Sequence, residues 1–384
     1  MHVLWINEVA DFTGGCEHYM LDCVKLLKEK YNVSSTLLYS VDGENNVKFL
    51  KHFDAAFPMV DLKMQIKEIA PDIVYIQRLD GKKPVLDIID SRIPALRFFH
   101  DHKLFCLREH KYTTIKLETC TEPIGKACLQ CLGFIGKKSS FPYLKINSLK
   151  KMKAEQKANM KLDKIIVGSE YMKNHLLLHG FPKNKTIVNQ LFSTKEADAQ
   201  QQIGKDIFLF VGQIVRGKGI DILLRAWAEL KLDEKLIICG SGAQAEEFKQ
   251  LADQLQISDK IVWTGRISHK ELAQYYRRAV CLIMPSRSPE TFGLTGLEAM
   301  SHGTAVIASD VGGISSWLNN GVNGILIPSN NETKLAEAIK KLADDRNLAI
   351  EFGKRGLSDY KEKFIPDFHI NKLYKIFCEL SGRR

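Results

Sequence analysis

Short apolar, β-branched runs alternate with helix-length amphipathic segments from one end of the chain to the other, which is the pattern of parallel strands joined by helical crossovers. A first series predicts strands at Val3–Ile6, Val33–Tyr39, Asp72–Ile76, Ala95–Phe99, Lys164–Val167 and Thr186–Val188, with helices such as Glu17–Lys30 and Glu170–His179 between them. A second series opens with IFLFVG at 207–212 and continues through KLIICG, IVWTG, VCLIMP, AVIAS and GILIP. Between the two, STKEADAQQQIGK at 193–205 has no apolar periodicity and reads as a linker. The expectation is therefore an α/β protein with domains at 1–192 and 206–364. A last helix at 365–384 carries its apolar positions at helical spacing and needs a surface to bury them.

Length and composition agree. A chain of 384 residues is too long for one ordinary core, and 45% hydrophobic with 26% charged residues is the make-up of a soluble globular protein. No run approaches the roughly 20 apolar residues of a membrane span, and MHVLWINEVADFTGG lacks the features of a secretory signal, so the chain is expected in the cytoplasm. The net charge of +10 is concentrated: residues 137–164 hold nine lysines against Glu155 and Asp163. With Phe141, Tyr143, Leu144, Ile146, Leu149 and Met152 these lysines could form a basic amphipathic surface for anionic lipid, peripheral on the inner face of the plasma membrane; a solvated helix face is the alternative. No nucleic-acid-binding module is recognisable.

Nine cysteines in a reducing compartment are thiols or metal ligands. Cys106, Cys120, Cys128 and Cys131 end in a C-x2-C pair and could close a structural zinc site, with reduced free cysteines as the other reading. Cys16, Cys23, Cys239, Cys281 and Cys378 fall in strands or helices and read as packing residues.

Ligands of open α/β sheets bind where strands end and helix N-termini point outward. Four such junctions carry candidate chemistry. Gly14-Gly15 after the first strand would let the backbone approach a phosphate or sugar, or simply make a tight turn. Arg216 and Lys218 sit on a glycine-rich loop ahead of a helix, a suitable clamp for a diphosphate. Gly240-Ser241-Gly242 with Ala245 matches a dinucleotide fingerprint, but no acid follows at the next strand and the motif is not on the first strand of its domain, which argues against a nicotinamide cofactor. In SRSPETFGLTGLEAM at 286–300, Gly293, Leu294 and Thr295 offer free amides to an anion, Glu290 lies just before them and Glu298 about one turn inside the helix. A loop glutamate can accept hydrogen bonds from sugar hydroxyls, and one on the first turn can reach a ribose diol.

These residues resemble the retaining glycosyltransferases of family four, whose E-x7-E motif matches Glu290 to Glu298. The order Gly14-Gly15, R-x-K-G, GSG, WTGRIS, the two glutamates and Gly312-Gly313 follows the same family, closely over 205–330 and more thinly before. The resemblance implies the GT-B fold: two Rossmann-like domains facing across a cleft, the first binding the acceptor and the second the donor, with the terminal helix crossing back to the first. It implies that Glu290 contacts the donor sugar, Glu298 the ribose, Lys218 the diphosphate and His100 the sugar near the transferred carbon, with Phe292 among the donor-binding residues and Arg266 facing the base.

One position departs from the family: Gln213 stands where an arginine is usual, so either Arg216 compensates or leaving-group stabilisation is weaker. The activity implied is transfer of a sugar, with retention and without a required metal, from a nucleotide donor, commonly UDP-linked, to a glycan or lipid-linked acceptor in polysaccharide or glycoconjugate synthesis. A sugar-nucleotide epimerase or hydrolase, or a non-catalytic sugar-nucleotide-binding protein, are the alternatives.

Overall fold

A computed structural model describes residues 1–40, 45–113, 117–137, 144–194 and 205–383. The chain forms two compact units. The first is built from Met1–Glu109, Glu122–Gln190 and Pro366–Arg384, and the second from His110–Thr121 and Leu191–Ile365. Placing the whole of 1–192 in the first domain therefore misses His110–Thr121, which packs with the second. Most of the expected linker, residues 195–204, lies outside the described residues, as do Phe141 and Tyr143.

The strands of the first unit are β1 (His2–Asn7), β2 (Ser34–Ser40), β3 (Ala55–Met59), β4 (Ile73–Ile76), β5 (Ala95–Phe99), β6 (Ile135–Lys137), β7 (Leu144–Ile146), β8 (Lys164–Val167) and β9 (Thr186–Val188). Seven of them make one parallel sheet in the order β3-β2-β1-β4-β5-β8-β9. The central strands are apolar almost without interruption because helices cover both faces; Val3 to Ile6 and Ile73 to Ile76 are all fully buried. β3 carries Pro58 at the sheet edge, where a missing N–H costs least. β6 and β7 form a separate antiparallel pair.

The C-terminal helix, Pro366–Ser381, belongs to this unit. It buries Ile370, Leu373, Ile376 and Phe377. Tyr374 stacks on Tyr31 at 3.8 Å, and Phe377 meets Tyr75 edge-on at 5.5 Å. His369, beneath them, donates from Nδ1 to the Gln190 carbonyl at 2.7 Å and accepts from the Tyr19 hydroxyl at 2.8 Å.

The second unit holds β10 (Ile207–Val211), β11 (Lys235–Cys239), β12 (Ile261–Gly265), β13 (Ala279–Met284), β14 (Ala305–Ser309) and β15 (Gly324–Ile327). They form a six-stranded sheet in the order β12-β11-β10-β13-β14-β15, with every pairing parallel. The strand order reverses beside β10, so the ends of β10, β11 and β13 open onto the crevice where such sheets bind ligands. Among the described residues no helix is long and apolar enough to cross a membrane.

Candidate functional site

β13 is buried along its whole length, which fixes where the chain emerges at Pro285 and begins the loop to the helix Leu294–Ser301. A second loop, the 3-10 turn Arg216–Lys218 after β10, lies against it. Gly219 ends that turn at φ +71, and a Cβ there would stand 1.9 Å from the Pro285 carbonyl oxygen, so only glycine allows the approach. The backbone N–H groups of Arg287 and Ser288 both donate to the Gly217 carbonyl, at 3.0 and 2.9 Å.

Arg287 ties the two loops together. It is only 1% exposed, and its guanidinium donates to the Arg216 carbonyl at 2.7 Å and to both carboxylate oxygens of Asp221 at 2.8 and 2.9 Å. Such a bidentate pair fixes direction as well as distance. Lys218 is thereby set opposite Glu290, with Nζ 2.6 Å from Oε1. The Ser286 hydroxyl donates to the same oxygen at 2.6 Å. Glu290 is also held through its backbone: its carbonyl accepts from the Gly313 N–H at 2.7 Å.

The helix that follows begins at Gly293, φ +91, and presents the N–H groups of its first turn. Phe292 beside it is buried, and its carbonyl accepts from the Trp317 indole at 2.6 Å. Glu298 accepts from the Tyr276 hydroxyl at 3.2 Å. A cleft of about 460 Å³ lies at the ends of β10 and β11, lined by Gly212, Gln213, Gly240, Gly242, Arg266 and Ile267. Gln213 is exposed there. Arg216 is turned away to the neighbouring helix Ala245–Gln254, where its guanidinium pairs with Glu247. That carboxylate holds the arginine's pKa above its ordinary value, so its charge is already balanced by an acid.

The first unit carries its candidates separately. Gly14 and Gly15 stand at the start of the helix Gly15–Tyr31; Gly14 has φ −163, which any residue can adopt, so its absent side chain concerns space and not conformation. His100 follows β5. Its Nε2 is 2.7 Å from the Gln77 side-chain oxygen, Phe98 stacks on its ring at 4.2 Å, and Tyr19 meets it edge-on at 5.1 Å. Burial, and then the charges of Arg78 and Arg97, hold its imidazole well below the usual histidine range, so it is neutral near pH 7. It lines a cavity of about 220 Å³ with Arg97, Lys151 and Glu155.

The cysteines expected to share a zinc ion are divided. Cys106, Cys128 and Cys131 belong to the first unit and Cys120 to the second. Each of the four is a thiol outside any disulfide, and Cys120 accepts from the Lys111 ammonium at 3.8 Å. Among the described residues no three His, Cys, Asp or Glu side chains are gathered to hold a metal.

The second unit thus brings Lys218 and Glu290 into contact, with Glu298 on the helix that follows. Sequence reasoning missed Arg287, Asp221, Ser286 and Tyr276, which hold these groups in place. Arg287 stands inside the same polar loop, but nothing in its spacing shows that it turns inward.

Residues 193–359 match the family model for glycosyl transferases group 1. The chain is 36% identical over 151 residues to D-inositol 3-phosphate glycosyltransferase 1 of Catenulispora acidiphila, a match covering 36% of each chain. It is 33% identical over 236 residues to an uncharacterized glycosyltransferase of Methanocaldococcus jannaschii, covering 61% of this chain and 65% of that one. The chain thus aligns with between 36% and 65% of the length of these two relatives.

Among solved structures, HepE of Anabaena in complex with UDP superposes with a TM-score of 0.74 at 16% identity, over 99% of this chain and 100% of that one. Sucrose-phosphate synthase of Thermosynechococcus elongatus superposes with a TM-score of 0.75 at 17% identity, over 99% of each chain. Residues 193–359 are a group 1 glycosyltransferase domain, and the chain has the GT-B fold.

Proposed function

We propose that this protein transfers a sugar from a nucleoside-diphosphate donor to a hydroxyl of a glycan or lipid-linked acceptor, with retention at the anomeric carbon and without a required metal ion. The observation that carries the reading is the Lys218–Glu290 contact at 2.6 Å beside the start of the helix bearing Glu298. An arriving diphosphate competes for the Lys218 ammonium and the helix N–H groups. Glu290 is then released to accept hydrogen bonds from the donor sugar, while Glu298 takes the ribose diol. The bond from the anomeric carbon to the phosphate oxygen breaks, and the nucleoside diphosphate leaves with the electron pair. The acceptor oxygen bonds to the carbon on the same face, and its proton passes to the leaving phosphate.

Lys218 and the helix dipole stabilise the developing charge, which is the task a divalent cation performs elsewhere. His100, in the first unit, is held neutral and so can offer a hydrogen bond without adding charge. Gln213 donates a hydrogen bond where the family's arginine would add a cation, and Arg216 does not make up the loss, because Glu247 holds it. Uridine is the favoured base, since HepE is solved with UDP. A cytoplasmic reaction is the reading we favour, because nine cysteines outside any disulfide would stay reduced there.

The test is nucleotide release from UDP-, GDP- and ADP-sugars in the presence and absence of chelator, across a panel of acceptors. Acceptor-dependent release with one donor, lost by about 100- to 1,000-fold in Lys218→Ala and Glu290→Gln, is expected. Equal release without acceptor would make the protein a hydrolase or epimerase, and binding without release would make it a non-catalytic sugar-nucleotide-binding protein.

A further inference from the structure

Residues 126–157 contain eight lysines and a single acid, Glu155. Glu155 is turned inward, and burial raises its carboxyl above the ordinary range, so it offsets little of the charge outside. Lys150, Lys153 and Lys157 are exposed and fall at i, i+3 and i+7 of the helix Leu149–Asn159, hence on one face. Among the described residues no ion pair involves any of the three. Like charges along one helical face repel, and among the described residues no ion pair offsets them.

Immediately before this helix, apolar side chains are exposed that no element among the described residues covers. Leu129 is 62% exposed, Leu132 and Ile135 55% each, and Ile146 88%. They are linked. The Leu132 N–H donates to the Leu129 carbonyl at 3.1 Å and the Ile135 N–H to the Leu132 carbonyl at 3.0 Å. Ile135 and Ile146 are direct partners across β6 and β7, so their side chains share one face. Scattered exposed leucines need no explanation, but a connected group beside unopposed lysines does. Water solvates the lysines and leaves the apolar group unexplained; an apolar protein partner covers the apolar group and leaves the lysines repelling one another.

We infer that this surface docks on an anionic lipid bilayer, with Leu129, Leu132, Ile135 and Ile146 entering the interfacial region and Lys150, Lys153 and Lys157 meeting the head groups. Ile146 and Lys151 also line the cavity that holds His100. The lipid-facing surface and the cavity therefore share a rim, and a hydroxyl carried on a lipid anchor enters the cavity while its chain stays in the bilayer. This assignment of the acceptor class rests on the transfer reading above; the docking itself does not.

The experiment is flotation of the full chain with vesicles of phosphatidylcholine alone and of phosphatidylcholine with phosphatidylglycerol. Retention is expected on the anionic vesicles at low salt, and its loss at high salt. Lys150→Gln/Lys153→Gln/Lys157→Gln should weaken partitioning on the order of a hundredfold, at roughly fivefold per basic residue. Leu132→Asp/Ile135→Asp should abolish retention while leaving unchanged the melting temperature and the shift caused by UDP, which also shows that the variant is folded. Absence of retention at low salt, or equal retention on both vesicle types, would overturn the proposal. So would a concentration-dependent dimer dissolved by Leu132→Asp/Ile135→Asp, because the surface would then serve a second copy of the chain. If none of UDP, GDP and ADP produces a shift while flotation succeeds, the transfer reading fails and the docking stands.

Discussion

At the scale of single residues, the candidate site depends on groups that hold Lys218 and Glu290 as much as on those side chains themselves. Gly312 is one of them. It has φ +65, and a Cβ at this position would lie 2.1 Å from the Glu290 carbonyl oxygen. Gly312→Ala is expected to cost about 2 kcal/mol or more and to move the Glu290 loop. Urea denaturation should show the loss, and donor turnover should fall in the protein that remains folded. Arg287→Met leaves Asp221 without its partner and is expected to destabilise by about 3 kcal/mol, read in the same assay; Arg287→Lys, which cannot span both carboxylate oxygens, should recover only part of it. That Glu290 would precede and Glu298 lie within the helix Leu294–Ser301 was legible in the sequence, because their spacing straddles a strand-to-helix turn. Arg287 was not, since its direction is set by Asp221, 66 residues earlier. Arg216 looked available from spacing alone, and Glu247 on another element claims it.

At the scale of elements, the helix Pro366–Ser381 carries a titration. His369 lies buried on it, and burial, the largest influence, lowers its pKa to about 4, with Lys372 nearby acting in the same direction. In the unfolded chain an ordinary histidine titrates near 6.5. Above that pH both states are neutral and the full stabilisation is present. As pH falls from 6.5 towards 4 the unfolded chain takes up the proton first, so stability declines through that window by up to about 3 kcal/mol. His100, depressed for related reasons, contributes with the same sign. Melting temperatures recorded from pH 7.5 to 4 should fall for the native protein and fall less for His369→Gln. The helix itself was legible from its apolar periodicity, because a stripe at that spacing has to be buried somewhere. β3 was not legible: Pro58 interrupts a strand pattern, and it is tolerated only because the strand sits at the sheet edge. β6 and β7, three residues each, are too short to show a period at all.

At the scale of the molecule, each unit has its own sheet and core, so unfolding need not be a single transition. UDP binds the second unit in our reading, and a ligand at about 100 times its dissociation constant adds roughly 2.7 kcal/mol to whatever it binds. Calorimetry with and without UDP should therefore raise one transition and move the other less; equal movement of both would mean that the units unfold together. Two sheets were legible because strands and crossover helices alternate in two long series. The placement of His110–Thr121 was not, because its attachments depend on tertiary contacts such as the Thr119 hydroxyl to the Arg287 carbonyl at 2.8 Å. The helix after Ile365 gives the chain a particular order of completion. During synthesis the second unit is complete at Ile365, before the first, which begins earlier but waits for its third stretch to cover Tyr31 and Tyr75. A chain stopped after Ile365 would thus damage the unit at the opposite end of the sequence, leaving apolar surface on the part that was translated first.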